Sequence, residues 1–115
     1  MRPSRYTHGF TEREPLFTVS FYGDEYKKAL GVLGSRSGRD CDKVGMSGLT
    51  PAAVETPYGS TVTFAEAELT LVCRKIFRQD MDRALILNDI ADEHYGPGEP
   101  AHTLYAGEVI NIIRR

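Results

Sequence analysis

The chain has 115 residues, 41% apolar and 26% charged, a balance that suits one folded domain and excludes a disordered tract. Its net charge of −2 lacks the basic excess of a phosphate-backbone binder, so no nucleic acid is expected as a partner. No apolar run reaches membrane-spanning length and no hydrophobic segment follows Met1–Arg5, so a cytoplasmic setting without a membrane partner is expected.

In chain order, the first strong pattern is Phe17-Thr18-Val19-Ser20-Phe21, which alternates apolar and hydroxyl residues. It predicts a strand with Phe17, Val19 and Phe21 on the buried face. From Asp24 onward, Tyr26, Ala29, Leu30 and Leu33 recur at helical spacing with Lys27 and Lys28 outside. Asp24 and Glu25 suit the first turn of that helix, and Gly34 is placed to end it. Ser35 to Asp42 is polar and aperiodic, a loop. Lys43 to Val54 reads as a loop with short turns, Thr50 capping and Pro51 at a helical first position. Thr56-Pro57-Tyr58-Gly59 is a turn.

Glu68 to Arg78 predicts a long strand, with Leu69, Leu71, Cys73 and Phe77 opposing Thr70, Val72 and Ile76. Both faces are half apolar, as in a barrel strand covered on each side. Arg83 to His94 reads as a helix weakened by Asn88 and Asp89, Gly96 to Pro100 as a loop, and His102 to Ile113 as the last strand. The order is β-α-loop-β-α-β, mainly β with helices. Cys41 and Cys73 are too few and too far apart for a disulfide framework or a zinc site, so two free thiols and no metal are expected. Basic residues pair at Arg2/Arg5, Arg36/Arg39 and Arg114/Arg115, a distribution that suits a small anion better than a duplex.

Three segments, in order and spacing, resemble the flavin reductase-like, FMN-binding split-barrel family, in particular its flavoredoxin branch. They are Arg2-Pro3-Ser4-Arg5-Tyr6-Thr7 leading to Phe17–Phe21; Glu25–Gly31 running into Ser37-Gly38-Arg39-Asp40-Cys41-Asp42-Lys43-Val44 and Gly48–Pro51; and Glu66–Cys73 closed by His102–Val109. The resemblance implies a single split-barrel domain over residues 1–115. Family members carry further strands before the Arg-x-Ser-Arg-Tyr-Thr strand, whereas here Met1 directly precedes Arg2. The expectation is therefore an incomplete barrel, completed or covered by a homodimer, because open sheet edges must be paired or shielded.

The same resemblance implies FMN as cofactor, with NAD(P)H as a reductant stacking on the flavin, since no Gly-x-Gly-x-x-Gly fingerprint is present. FMN needs donors for a phosphate and an apolar slot for a flat ring. Arg2, Ser4, Arg5 and Thr7 carry guanidinium and hydroxyl donors of the right kind, Arg5 and Thr7 foremost by resemblance; the competing reading is a solvated terminus. By analogy Ser37 and Gly38 bring backbone amides to the cofactor, and Lys43 presents an ammonium to the ring. Arg39 and Asp40 read equally as a surface ion pair, and Tyr6 and Tyr105 as slot or core residues. His102 reads first as a positioning or surface residue, because hydride transfer to N5 of the ring needs no side-chain acid, and a catalytic part is the weaker alternative. The implied function is that of an FMN-binding redox protein of flavin reductase or flavoredoxin type. The alternative is a shortened member that keeps fold and dimer without binding flavin.

Overall fold

A computed structural model describes residues 1–115. The backbone of the molecule is β4, Leu69–Asp80, which pairs antiparallel with β1, Leu16–Phe21, on one side and with β5, Thr103–Arg114, on the other. A second sheet is the hairpin of β2, Pro51–Thr56, and β3, Gly59–Phe64. Four short helices decorate these sheets: α1 Tyr6–Arg13, α2 Lys27–Ser35, α3 Lys43–Ser47 and α4 Asn88–His94. The expected mixture of strands and helices is present. Within one chain, however, the three- and two-stranded sheets do not close into a barrel. No helix is long and apolar enough to cross a membrane.

The hairpin packs against β1, and this reverses the expected burial of that strand. Thr18 Oγ1 donates to the Val62 carbonyl at 2.8 Å, and Ser20 Oγ lies 3.0 Å from Thr63 Oγ1 and 3.4 Å from Thr70 Oγ1. Thr63 and Thr70 are themselves 2.9 Å apart, so three hydroxyls satisfy one another in a triangle between the sheets. Polar groups tolerate burial when paired in this way. The hydroxyl face of β1 turns inward, and Val19 and Phe21 are left 41% and 50% exposed. Val72, beside the triangle on β4, is fully buried.

Other expectations meet specific corrections. Arg2–Thr7 is not a strand, since α1 begins at Tyr6. The helix after Tyr22 is present, opened by a 3-10 turn over Asp24–Tyr26, and runs through Gly34 to Ser35. Lys43–Ser47 is helical because Asp42 caps it, its carboxylate accepting from the Gly45 amide at 3.1 Å. Pro51 opens β2 rather than a helix, at a strand start where its missing N–H is tolerated. Arg83–His94 divides into a 3-10 turn at Arg83–Leu85 and α4, the break falling just before Asn88. The outer half of β4 is not covered on both faces, with Ile76 and Phe77 both exposed.

The register of β4 and β5 slips twice, between Val72 and Cys73 and between Lys75 and Phe77. Beside the slips Gly107 lets the Phe17 ring cross β5. A Cβ there would overlap the ring edge and lie 3.0 Å from Cys73 Cβ. Gly107→Ala is therefore expected to destabilise the fold by about 1–3 kcal/mol through overpacking, read as a lower urea midpoint. An unchanged midpoint would mean that the ring moves aside freely.

Candidate functional site

A cavity of about 320 Å³ opens between the start of α1 and the loop joining α2 to α3. Ser4, Arg5, Tyr6 and Thr7 line it from one side, and Ser35 to Asp40 with Lys43 from the other. Arg5 occupies the N-cap of α1 in extended conformation and gives the helix no side-chain cap. The Tyr6 and Thr7 amides consequently have no backbone acceptor, leaving two donors and the positive end of the helix dipole at the cavity. The opposite wall is organised by Ser37, whose carbonyl accepts from the Asp40 and Cys41 amides and whose hydroxyl accepts from the Arg39 amide.

The electrostatics of this cavity set it apart. Arg5, Arg36, Arg39 and Lys43 line it against one carboxylate, Asp40. None of these five groups is in an ion pair; the ion pairs of the protein fall on Arg2, His8, Arg74, Arg78 and Arg83. The expected Arg39–Asp40 pair is absent, and Arg39 instead lies over the Tyr6 ring, 5.4 Å from its centroid. Lys43 Nζ donates to the Leu33 carbonyl in the last turn of α2 at 3.2 Å. Four cations in one concavity of a protein with net charge −2 form an uncompensated positive patch, of the kind that attracts an anion.

A second cavity of about 310 Å³ adjoins the first and shares Tyr6, Thr7, Gly38 and Lys43 with it. Its remaining wall is Phe10, Cys41, Val44 and Asp42, whose carboxylate is engaged in capping α3. Tyr6 and Phe10 stack edge to face at 5.2 Å. Gly38 permits the loop to approach that pair, since a Cβ would sit 3.4 Å from two Tyr6 ring carbons. A cationic compartment thus runs into an aromatic one, with Lys43 at the seam.

The far end of α1 is fixed to the main sheet, which is why its near end is a defined wall. Lys75 Nζ donates to the Thr11 and Glu12 carbonyls at 2.5 and 3.1 Å, closing the C-terminal end of the helix with a cation. Glu12 accepts from Arg78 at 2.9 Å and from the Tyr105 hydroxyl at 2.5 Å. His8 Nε2 lies 3.1 Å from Thr103 Oγ1.

Of the residues singled out in the sequence, Ser4, Arg5, Thr7, Ser37, Gly38 and Lys43 meet at the first cavity. Arg2 does not. Its guanidinium donates to Glu99 Oε1 at 2.5 Å and to the His94 carbonyl at 2.6 Å, and it lies over the Tyr95 ring. His102 is also elsewhere, its Nδ1 hydrogen-bonded to the Tyr95 hydroxyl. Burial, and then the Met1 ammonium and Arg2, push the His102 pKa below its ordinary value. Tyr105 points to Glu12 rather than into either cavity. Phe10 was hidden from sequence reading because the residues after Thr7 gave no clear periodicity, and the cavity role of Arg36 and Arg39 was visible only as a basic pair.

Neither protein-family models nor curated proteins give a match to this chain. Solved structures do. The FMN-binding protein of Thermus thermophilus with bound 1-cyclohex-2-enone superposes with a TM-score of 0.66 at 21% identity, covering 99% of this chain and 51% of that one. The same protein with bound p-hydroxybenzaldehyde gives 0.67 at 21% identity, over 100% and 52%. Nitrilotriacetate monooxygenase component B from Bacillus cereus gives 0.65 at 18% identity, over 92% and 46%. The chain has the flavin reductase-like fold. It spans about half the length of each of these structures.

The clamp on α1 carries a pH signature. The Tyr105 hydroxyl and then Arg78 hold the Glu12 carboxyl below its ordinary 4.5. A carboxylate with a lowered folded-state pKa contributes stability that is present above its unfolded value and lost as pH falls through the folded one. Glu12→Gln is therefore expected to lower the urea midpoint at neutral pH, with the gap to the native chain closing as the solution is acidified below the carboxylate range. A gap independent of pH would refute the assignment. The Tyr105 phenol, pushed up to about 12 by burial and then by Glu12, is expected to ionise last in an alkaline ultraviolet titration.

Proposed function

We propose that this chain binds FMN and acts as a redox protein of flavin reductase or flavoredoxin type, using NAD(P)H as reductant. One observation carries the reading: an uncompensated cationic cavity continuous with an aromatic one. Such a pair fits a ligand with a dianionic end and a flat apolar end. The residues present suit that group. Arg5, the Ser4 and Thr7 hydroxyls, and the amides at the start of α1 would hold the phosphate, aided by the Ser37–Gly38 backbone. Tyr6, Phe10 and Val44 would bound the ring. Bound FMN supplies two-electron chemistry in which the ring accepts a hydride at N5.

Lys43 places a fixed positive charge at the seam, where it favours a ligand that gains negative charge. At an effective dielectric near 20, a cation about 4 Å from an anion is worth roughly 4 kcal/mol before desolvation is subtracted. The half-exposed apolar face carrying Val19, Phe21 and Ile112 supports a homodimer, in which a second copy covers what one chain leaves open. Two free cysteines, Cys41 and Cys73, suit a reducing, cytoplasmic compartment.

The test is titration of the purified protein with FMN and with riboflavin, followed by flavin fluorescence. A stoichiometric FMN complex, with riboflavin bound at least tenfold more weakly, is expected. Arg5→Ala should cost about 10- to 100-fold in FMN affinity, the worth of one charge-assisted hydrogen bond at roughly 1.5–3 kcal/mol, and leave riboflavin binding unchanged. Equal affinities for the two flavins would remove the phosphate assignment. A folded protein that retains no flavin once excess FMN is removed would select the second reading, a fold kept without flavin, which the chain's span of only about half of the FMN-binding neighbours favours.

A further inference from the structure

The charge in the first cavity exceeds what one phosphate monoester neutralises. Four cations less one carboxylate leave a formal surplus of three. A monoester carries roughly −1.5 to −2 near neutral pH, so about one positive charge or more remains once it is bound. The surplus is also divided in space. Arg5 stands at the start of α1 beside the free amides, and Lys43 is tied to the Leu33 carbonyl. Arg36 and Arg39 come from the opposite wall and are exposed.

Neither of these two guanidiniums is in an ion pair; the other unpaired arginines are Arg5 in the same cavity and Arg13, Arg114 and Arg115, which line neither compartment. Arg39 is held in place by the Tyr6 ring, which lines both compartments and leaves its donors available. A guanidinium stacked on one side and unpaired on the other is arranged to meet a planar or tetrahedral oxyanion. With no Gly-x-Gly-x-x-Gly turn in the chain, a dinucleotide has no ready-made phosphate cradle elsewhere.

We propose that Arg36 and Arg39 form a second phosphate subsite at the mouth of the cavity, which receives a phosphate of the nicotinamide nucleotide. The assignment rests on the FMN reading above and adds to it the residues that select the co-substrate. Two phosphates of such a nucleotide share this chemistry: the bridging pyrophosphate, present in both forms, and the 2′-phosphate, present in one.

The FMN-loaded protein, native and as the Arg36→Gln/Arg39→Gln double variant, is titrated with NADP⁺ and NAD⁺, following the flavin absorbance. FMN affinity is measured separately on each protein. The expected result is at least a tenfold loss of nucleotide affinity in the variant, with FMN affinity changed less than threefold. Loss confined to NADP⁺ assigns the 2′-phosphate, and equal loss for both assigns the pyrophosphate. Unchanged nucleotide affinity in a variant that still binds FMN overturns the subsite alone. A tenfold loss of FMN affinity in the variant also overturns it, by returning the two arginines to the flavin phosphate. Failure of the native chain to bind FMN at all overturns both this subsite and the reading beneath it.

Discussion

Every backbone hydrogen bond of the larger sheet uses β4, and that sharing is the constraint on which the remaining architecture depends. One side of the strand pairs with a six-residue partner and the other with a twelve-residue one. Its inner half therefore supports the packing against the hairpin, through Thr70 and Val72. Its outer half reaches past β1 to the helix that walls the cavity, through Lys75 and Arg78. A single strand thus connects the core to the cavity wall, and the position of α1 is inherited from the register of β4.

The candidate site shows a division of labour between fixed and unfixed charge. Around Glu12 and Glu99 the charged groups are matched and hydrogen-bonded, and they serve to hold segments together. In the cavity the cations are unmatched and mutually repelling. Such an arrangement costs stability in the free protein and is relieved by an anion, which is how a binding site differs electrostatically from a structural ion-pair network. The likeness to solved structures fixes the fold, and this unmatched charge favours an anion independently of that likeness.

How much was legible in the sequence depended on whether a residue's role was local. The helix from Asp24 followed from apolar spacing, and the Pro57–Gly59 turn from backbone preference; both are properties of a few adjacent residues. The faces of β1 were assigned the wrong way round because alternation gives two faces without saying which partner each will meet. The hairpin supplied hydroxyls and a carbonyl to Thr18 and Ser20, which no window around residue 20 contains. The segment after Thr7 hid α1, because its anchors are Lys75, Arg78 and Tyr105, more than sixty residues away. Arg2 was grouped with Arg5 by proximity in sequence, yet the start of a helix separates them and Glu99 captures the first.

The two register slips between β4 and β5 have a meaning beyond local geometry. A twelve-residue border strand rich in isoleucine and valine would, if straight, offer an addition template to any extended chain it met. Each slip bends the ribbon and sharpens its twist, so that the border curves away from the flat plane that stacking into a fibril requires. Irregular pairing in the middle of the sheet thereby lets the molecule keep greasy side chains at its surface while refusing indefinite growth.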